Sequence, residues 1–217
     1  MMQRIDSTAI DTIGIPRLLL MEHAGLAVAH AVAQLRDGVT PLRVLICAGT
    51  GFNGGDGLAA ARHLLGWGAD VQVVLAGRIT HLRDEPAIYA NLLQRLGVSI
   101  TECGAVADVA ALASRWIDRA IVVDALLGIG ARGQVREPIH SMIAAINQLG
   151  RPIVAADVPS GLDADTGAVL GGAVRAAVTV TFGLAKQGLF RGAGPTCVGR
   201  LIIDPIGLPP ALLQQAG

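Results

Sequence analysis

A glycine-rich turn after an apolar segment carries the first residues of this sequence that could do chemistry. Gly49, Gly51 and Gly54 follow the apolar residues 44–48 and precede an Ala/Leu-rich segment, which is the order strand, tight turn, helix. Glycine lets the backbone approach a ligand closely, and the following helix directs its free N–H groups towards the turn. The spacing therefore predicts a cradle for an anion or a nucleotide.

Two polar side chains in this turn, Asn53 and Asp56, are not required by the glycine pattern. Asp56 is open to a structural interpretation, since aspartate at a helix start accepts backbone hydrogen bonds. Asn53 has no such local role. An ordinary NAD-dependent dehydrogenase would carry an acidic residue at the end of its second strand to hold the ribose. Here the strand predicted at 71–76 ends in Gly77 and Arg78, which disfavours that class of enzyme.

Two aspartates terminate apolar segments that are predicted as strands. Asp124 follows residues 120–123, Asp157 follows residues 152–156, and each precedes a glycine-containing loop. Because the carboxyl ends of parallel strands open on one edge of the sheet, both aspartates are expected where ligands bind. A carboxylate there is poorly solvated and needs a cation, a donor or a proton. The alternative, that each accepts N–H bonds from its own loop, stays open.

Three side-chain oxygens are predicted to meet at this edge, since Ser160 follows Asp157 closely and joins Asn53 and Asp124. Hard oxygen ligands select a hard cation, and a single carboxylate favours a monovalent ion over magnesium. No His/Cys cluster indicates zinc. The glycine-rich loop 128–134 has free amides and one arginine, which suit a phosphate group.

The composition fits one domain of a protein in a reducing compartment. The chain has 217 residues, no net formal charge and 16% charged residues, without a basic run that would indicate nucleic-acid binding. No apolar segment reaches the roughly 18 residues of a membrane span, and no secretory signal is visible. The three cysteines, Cys47, Cys103 and Cys197, are isolated, which predicts buried thiols and a cytoplasmic location.

The elements that must position these residues alternate between apolar strands and helices. The predicted strands are 44–48, 71–76, 97–100, 120–124, 152–157, 177–182 and 200–203, and the predicted helices between them include 84–96, 106–117 and 138–149. Strands that are apolar throughout are buried on both faces, as in a parallel sheet. The pattern predicts an α/β fold, a three-layer α/β/α Rossmann-like sandwich with a mainly parallel sheet.

Two helices are predicted before the first strand, at 4–13 and from Pro16 to about Leu35, the second ended by Asp37-Gly38. Glu22 and His23 lie side by side on the second helix. They are predicted as solvated surface, with the alternative that this helix lies along one edge of the pocket. We expect one domain over residues 1–217, with N-terminal helices in 1–37 and a Rossmann-like core in 42–206.

Five segments resemble the NAD(P)H-hydrate epimerases, the YjeF N-terminal domain family. They are residues 20–25 (Leu-Met-Glu-His-Ala-Gly), 49–57, 123–128, 156–167 and 179–189. They occur in the order and at the spacing of the family, and the resemblance covers the chain from about residue 5 to 206. Phe52 and His23 depart from it, because the family usually has Asn at both positions. Phe52 keeps its backbone N–H, so the cradle is expected to survive.

The resemblance implies an isomerase that interconverts the R and S forms of hydrated NADH and NADPH. A companion ADP/ATP-dependent dehydratase, carried as a C-terminal domain by related bifunctional proteins and expected to lie outside this sequence, then restores the coenzyme. One potassium ion per subunit would be held by Asn53, Asp124 and Ser160. The implied substrate-binding residues are Phe52, Asn53, Gly54, Gly55, Asp56, Gly128, Ile129, Gly130, Ala131, Arg132, Gly133, Gln134 and Asp157.

Inversion at C6 of the hydrate needs a proton shuttle, and Asp157 is the expected general acid/base. Lys186, a single lysine after a strand, is predicted at the surface, with the alternative that it contacts the ligand. Self-association as a homodimer is expected from the resemblance and from the apolar N-terminal helix. The alternative function is a non-catalytic nucleotide-binding or protein-interaction module on the same scaffold. The presence of Asp157 beside the three oxygen ligands counts against it.

Overall fold

The computed structural model describes residues 2–35 and 41–214 and places seven strands in one parallel sheet. The strands are β1 (Arg43–Ala48), β2 (Asp70–Ala76), β3 (Ile100–Cys103), β4 (Ile121–Ala125), β5 (Ile153–Ala156), β6 (Val178–Phe182) and β7 (Arg200–Asp204). Their order is β3-β2-β1-β4-β5-β6-β7, and every neighbouring pair is parallel. The fold class predicted from the apolar strands is confirmed.

Helices cover both faces of this sheet. They are α1 (Met2–Ser7), α2 (Arg17–Gln34), α3 (Phe52–Gly66), α4 (Asp84–Arg95), α5 (Val106–Ala113), α6 (Ile139–Gln148), α7 (Gly194–Cys197) and α8 (Pro210–Gln214). Alternate residues of a strand point to opposite faces. Val44 and Ile46 therefore pack in one core cluster with α2, α3 and α4, while Leu45 and Cys47 pack in another with α5 and α6. In the described part of the chain, no helix has both the length and the apolar character needed to cross a bilayer.

The third strand begins later than residues 97–100 predict. Gly97 has a φ of 83°, and the Val98 N–H donates to the Leu93 carbonyl at 2.9 Å, so this segment closes the end of α4. Such a left-handed glycine terminates many helices. Val98 is buried against the core, which explains the apolar signal. The strand itself, Ile100–Cys103, pairs with β2.

The other boundaries differ from the predictions only slightly. Pro16 precedes α2 as its N-cap, with a ψ of 132°, so the helix begins at Arg17. The helix predicted at 106–117 is α-helical to Ala113 and then tightens into a 3₁₀ turn, Ser114–Trp116. The predicted helix end at 37–38 lies outside the described residues.

Close packing of α2 against α3 depends on Gly25. A Cβ at Gly25 would lie 2.4 Å from Ala59 Cβ and 2.7 Å from the Ala60 nitrogen. We expect Gly25→Ala to lower the free energy of unfolding by roughly 1–3 kcal/mol, since an overpacked core must shift its backbone. Gly66→Ala is the matched control, because a Cβ at that helix position meets nothing within 4 Å. Urea unfolding of both variants tests this, and equal midpoints would contradict it.

The order of strands reverses between β1 and β4, because β2 and β3 extend to one side of β1 and β4 to β7 extend to the other. At such a point the loops after the two central strands leave in opposite directions and open a crevice at the carboxyl edge. The glycine turn follows β1, and Asp124 in β4 lies beside Cys47 of β1. The fold thus brings the polar residues of both strand ends to one crevice.

Candidate active site

The glycine turn between β1 and α3 packs backbone directly against backbone. A Cβ on Gly54 would lie 1.9 Å from the Gly49 oxygen, and one on Gly49 would lie 2.0 Å from an oxygen of the loop after β4. α3 begins at Phe52, and the Gly55 N–H donates to the Gly51 carbonyl at 3.1 Å. The amides that precede this bond have no helical acceptor. They form the positive end of α3, where an anion can bind.

Asn53, Asp124 and Ser160 meet at the carboxyl edge of the sheet. Ser160 donates its hydroxyl to Asp124 Oδ1 at 2.6 Å and its backbone N–H to Asp124 Oδ2 at 2.8 Å. The Leu127 N–H donates to Ser160 Oγ at 2.9 Å, and the Leu127 carbonyl accepts from Asn53 Nδ2 at 3.0 Å. Asp124 also accepts the Leu126 N–H at 3.3 Å, so it holds its own loop as well. The structure brings together the three residues predicted as cation ligands.

The amide oxygen of Asn53 has no hydrogen-bond partner in the described part of the chain, although it is buried. Buried polar atoms are normally satisfied, so this oxygen indicates a missing partner. Burial raises the pKa of Asp124 to about 6, against the lowering effect of the Ser160 and Leu126 donors. A cation would satisfy the amide oxygen and favour the ionised carboxylate. One carboxylate, one amide oxygen and one hydroxyl fit a hard monovalent ion.

Asp157 follows β5 with a φ of 65°, a left-handed conformation that is costly for a residue other than glycine. Its Oδ1 accepts the Phe182 N–H at 3.1 Å and the Thr181 hydroxyl at 3.2 Å, and it forms an ion pair with Lys186. These donors come from β6 and the segment after it rather than from the loop of Asp157. Oδ2 receives no hydrogen bond from the described residues, which leaves that oxygen for a ligand.

Lys186 is buried, so its predicted surface position is wrong. The residue is 8% exposed, and its Nζ also donates to the Phe182 carbonyl at 2.8 Å and to the Thr181 hydroxyl at 3.1 Å. The chain folds back after β6 and places the ammonium group beside Asp157. A buried charge needs such a partner. Lys186 and Asp157 are therefore each other's partner in a buried ion pair.

A cavity of about 620 Å³ opens above these groups. α1 and α2 form one wall, so the alternative left open for the second N-terminal helix, that it lies along one edge of the pocket, is the one the structure shows. The predicted substrate-binding residues that line the cavity are Phe52, Asn53, Asp56, Gly128, Ile129, Gly130, Ala131 and Asp157. Its volume lies within the range of small-molecule sites.

The remaining predicted substrate-binding residues lie outside the cavity lining. Gly54 and Gly55 are buried inside the first turn of α3, where Gly55 faces Met21 of α2. Arg132 donates to two carbonyls of its own loop and lies 3.5 Å from the Asp165 carboxylate. Gly133 and Gln134 continue the loop away from the cavity, and a Cβ at Gly171 would lie 2.5 Å from the Gln134 amide oxygen.

Several cavity residues were not predicted. Asp6 of α1 and Arg17 of α2 both line the cavity, and the Arg17 guanidinium lies 4.6 Å from the centre of the Phe52 ring. No local sequence signal places the N-terminal helices over the sheet edge. Asp56 does not cap α3, because Gly51 is the N-cap and Asp56 lies beyond the first turn. Burial raises the pKa of the Asp56 carboxyl well above its ordinary value.

Glu22 is not the solvated surface residue that the sequence predicts. It accepts the Tyr89 hydroxyl at 2.7 Å, lies 3.1 Å from His63 Nε2 and forms an ion pair with Arg62. Through these contacts it ties α2 to α3 and α4. His23 is exposed, as predicted.

Comparisons with known proteins show what this chain resembles. The profile of the family described as YjeF-related protein N-terminus matches residues 17–188. The bifunctional NAD(P)H-hydrate repair enzyme Nnr of Pyrobaculum aerophilum is 46% identical over 200 residues, which cover 91% of this chain and 39% of the relative. The corresponding enzyme of Salinibacter ruber is 43% identical over 226 residues, 99% of this chain and 41% of the relative. The chain thus spans about two fifths of these bifunctional proteins.

A shorter relative matches over most of its own length. The NAD(P)H-hydrate epimerase of Leuconostoc mesenteroides is 34% identical over 207 residues, 95% of this chain and 88% of the relative. Among solved structures, the crystal structure of yeast ynu0, YNL200c, superposes with a TM-score of 0.84 and 25% identity. That match covers 99% of this chain and 90% of the yeast chain.

Proposed function

Because the chain belongs to the YjeF-related protein N-terminus family, we propose that it is an NAD(P)H-hydrate epimerase. It interconverts the R and S forms of hydrated NADH and NADPH and so takes part in repair of the nicotinamide coenzymes. The observation that carries the proposal is the Asp157 carboxylate, which opens on a cavity that also holds the glycine turn. The names of the relatives support the same activity.

The dinucleotide is bound between the glycine turn and the loop after β4. The free amides at the start of α3 take the diphosphate, since a helix N-terminus favours anions. Gly128 to Ala131 form the opposite wall. Phe52 presents its half-exposed ring at the cavity, under the Arg17 guanidinium. Its aromatic face replaces the amide that the family usually has there.

Asn53, Asp124 and Ser160 hold one potassium ion per subunit. The unpartnered Asn53 oxygen and the buried Asp124 carboxylate support this assignment. When bound, the ion would supply positive charge near the diphosphate and would hold together the start of α3, the end of β4 and the loop after β5, which carry these three residues. The Leu127 backbone joins Asn53 to Ser160, so the ligands and the loop after β4 are already held together by the chain.

Asp157 exchanges a proton with an atom bonded to the reacting carbon C6. Inversion at C6 requires opening of the C–O or the C–N bond and closure on the other face, and either route exchanges a proton with the substrate. Lys186, Thr181 and Phe182 all bind Oδ1 of Asp157 and orient the carboxylate. Its Oδ2 is the oxygen that accepts and returns the proton.

The protein acts with an ADP/ATP-dependent dehydratase that consumes the S form. The bifunctional relatives, named as repair enzymes, support this coupling. We further propose a homodimer, supported by the exposed Leu18 and Leu19 on α2. A cytoplasmic location is supported by the three buried free thiols, which need a reducing compartment.

Proton NMR of the C6 epimers tests the activity directly. Pure R epimer of hydrated NADH is mixed with the enzyme in a potassium buffer, and the approach to the R/S equilibrium is followed. We expect exchange at least about 100-fold faster than without enzyme, the contribution of one positioned acid/base group. If the enzyme binds the dinucleotide but leaves the rate unchanged, the chain is a binding module instead. In that case Phe52→Asn and His23→Asn are the first variants to examine.

A further inference from the structure

Three carboxyl groups reach the cavity from three different elements. Asp6 comes from α1, Asp56 from α3 and Asp157 from the end of β5. Asp157 is held by the ion pair with Lys186 and by two further donors. No donor in the described part of the chain reaches the Asp56 carboxyl. Two carboxyl groups of the same cavity therefore differ sharply in their surroundings.

The charges that face Asp56 oppose its ionisation. Burial is the largest cause that raises the pKa of Asp56, and the negative charges of Asp157 and Asp6 raise it further. Lys186 lowers it but is engaged by Asp157. Among the described residues, the Tyr89 hydroxyl of α4 also faces Asp56. Tyrosine is neutral near pH 7, and burial raises the pKa of Tyr89 further. Asp56 thus holds its proton to a higher pH than an ordinary aspartate, whereas Asp157 has a cation and two further donors as partners.

The pKa of Asp6 is also raised, first by burial and then by the charge of Asp157, while Lys186 and Arg17 lower it. Lys186 and Arg17 both favour the ionised form of Asp6, whereas only Lys186 favours the ionised form of Asp56. Asp6 therefore acts on Asp56 as a negative neighbour.

We propose that Asp56 is the general acid and Asp157 the general base of one proton exchange, and that Asp6, which lines the same cavity, is a positioning residue that acts through Asp56. The inference rests on the proposed epimerase function. Enzymes divide acid and base roles between two carboxyl groups by giving them different environments. Here Asp157 is bound by Lys186 and by two further donors, and the Asp56 carboxyl accepts no hydrogen bond from the described residues.

The proton exchange balances in the ring-opening route. Asp157 removes the proton of the C6 hydroxyl, the C6=O bond forms, and the C6–N1 bond breaks. N1 takes the electron pair of that bond together with the proton of Asp56. After rotation about C5–C6, N1 attacks the other face of the carbonyl and returns its proton to Asp56, while Asp157 returns its proton to the oxygen.

The route through the C–O bond needs the same pair. Asp56 gives its proton to the hydroxyl, which leaves as water with the bonding electrons, and a cation remains on the ring. A water molecule then adds to the other face, and Asp157 accepts the proton that this water loses. Proton exchange with the solvent returns this proton from Asp157 to Asp56 before the next turnover. In both routes one proton is given to an atom bonded to C6 and another is removed from a second atom bonded to C6. A single carboxylate would have to reach both atoms, whereas two carboxyl groups can each act on one.

The test compares pH–rate profiles of wild type, Asp56→Asn and Asp6→Asn, measured as epimer exchange of hydrated NADH by NMR. We expect Asp56→Asn to lower kcat by at least about 100-fold, since a positioned acid contributes that much or more. Binding of hydrated NADH, measured by calorimetry, is retained. Asp11→Asn, an exposed aspartate after α1, is the matched control and keeps the wild-type profile.

For Asp6→Asn we expect a change in the pH dependence of the rate, which a merely structural role of Asp6 would not produce. An acid must be protonated to act, so the rate falls as pH rises through the pKa of Asp56. Removal of the Asp6 charge lowers the pKa of Asp56. We therefore expect the alkaline limb of the pH–rate profile to shift to lower pH by roughly one unit. KM stays close to wild type.

The outcomes separate this inference from the function on which it rests. If Asp56→Asn keeps kcat within about threefold of wild type, Asp56 is not the acid. If Asp6→Asn leaves the alkaline limb in place, the role of Asp6 is overturned, even where Asp56→Asn fails to fold. If wild type itself does not exchange the epimers, the proposed function fails instead.

Discussion

Asp157→Asn is expected to abolish epimer exchange while dinucleotide binding remains measurable. Asparagine has the same shape but cannot accept the proton, so kcat falls by about 100-fold or more. The same change leaves Lys186 buried without its partner. Removal of one member of a buried ion pair costs about 3 kcal/mol of stability, because the other charge stays unpaired. Loss of activity and loss of stability must therefore be separated.

A double variant separates the two effects. Asp157→Asn with Lys186→Met removes both charges, and we expect it to recover most of the lost thermal stability without recovering turnover. Asp70→Asn is the control for the substitution itself. Asp70 begins β2 at the other edge of the sheet and makes only a half-exposed ion pair with Arg119. Turnover by the double variant near the wild-type rate would remove Asp157 from the mechanism.

The meeting of Asn53, Asp124 and Ser160 could be predicted from the sequence because it depends on a rule of sheet topology. Asn53 follows β1, Asp124 lies in β4 and Ser160 follows β5. The carboxyl ends of adjacent parallel strands lie close together whatever the rest of the chain does. Residues at or just after these strand ends can therefore be expected to meet once the strands are recognised. The structure shows the hydrogen bonds that join them.

The opposite wall of the cavity depends on tertiary packing that no local pattern reports. Asp6 and Arg17 reach the site only because α1 and α2 fold over the carboxyl edge. Lys186 is buried because the chain turns back after β6 towards Asp157. A lysine after a strand looks the same in sequence whether it is solvated or paired. The acid/base environment, unlike the cation ligands, needed the three-dimensional structure.

The glycine-rich loop after β4 was only partly predictable for a similar reason. Its composition indicates free amides, and Gly128 to Ala131 do line the cavity. Its second half runs towards a distant loop, where the Val135 N–H donates to the Leu170 carbonyl at 2.8 Å and Arg132 lies beside Asp165. The composition of the segment shows that it has free amides and an arginine, but not which of these groups faces the ligand.

Asn53→Ala is expected to remove most of the response to potassium. The substitution deletes the amide oxygen that has no partner in the described residues. Loss of one such ligand raises the potassium concentration for half-activation at least about tenfold, which corresponds to about 1.4 kcal/mol of binding free energy. Epimer exchange is measured against potassium at constant ionic strength, with tetramethylammonium as the replacement cation.

Thermal unfolding gives a second measure that does not depend on turnover. A ligand that binds only the folded state raises Tm, so wild type should melt higher in potassium than in tetramethylammonium, and Asn53→Ala should not. Asn147→Ala is the matched control, because Asn147 also donates to a backbone carbonyl at 3.0 Å but its oxygen accepts the Arg175 N–H. If Asn53→Ala keeps the potassium response of Asn147→Ala in both measurements, Asn53 does not bind the ion.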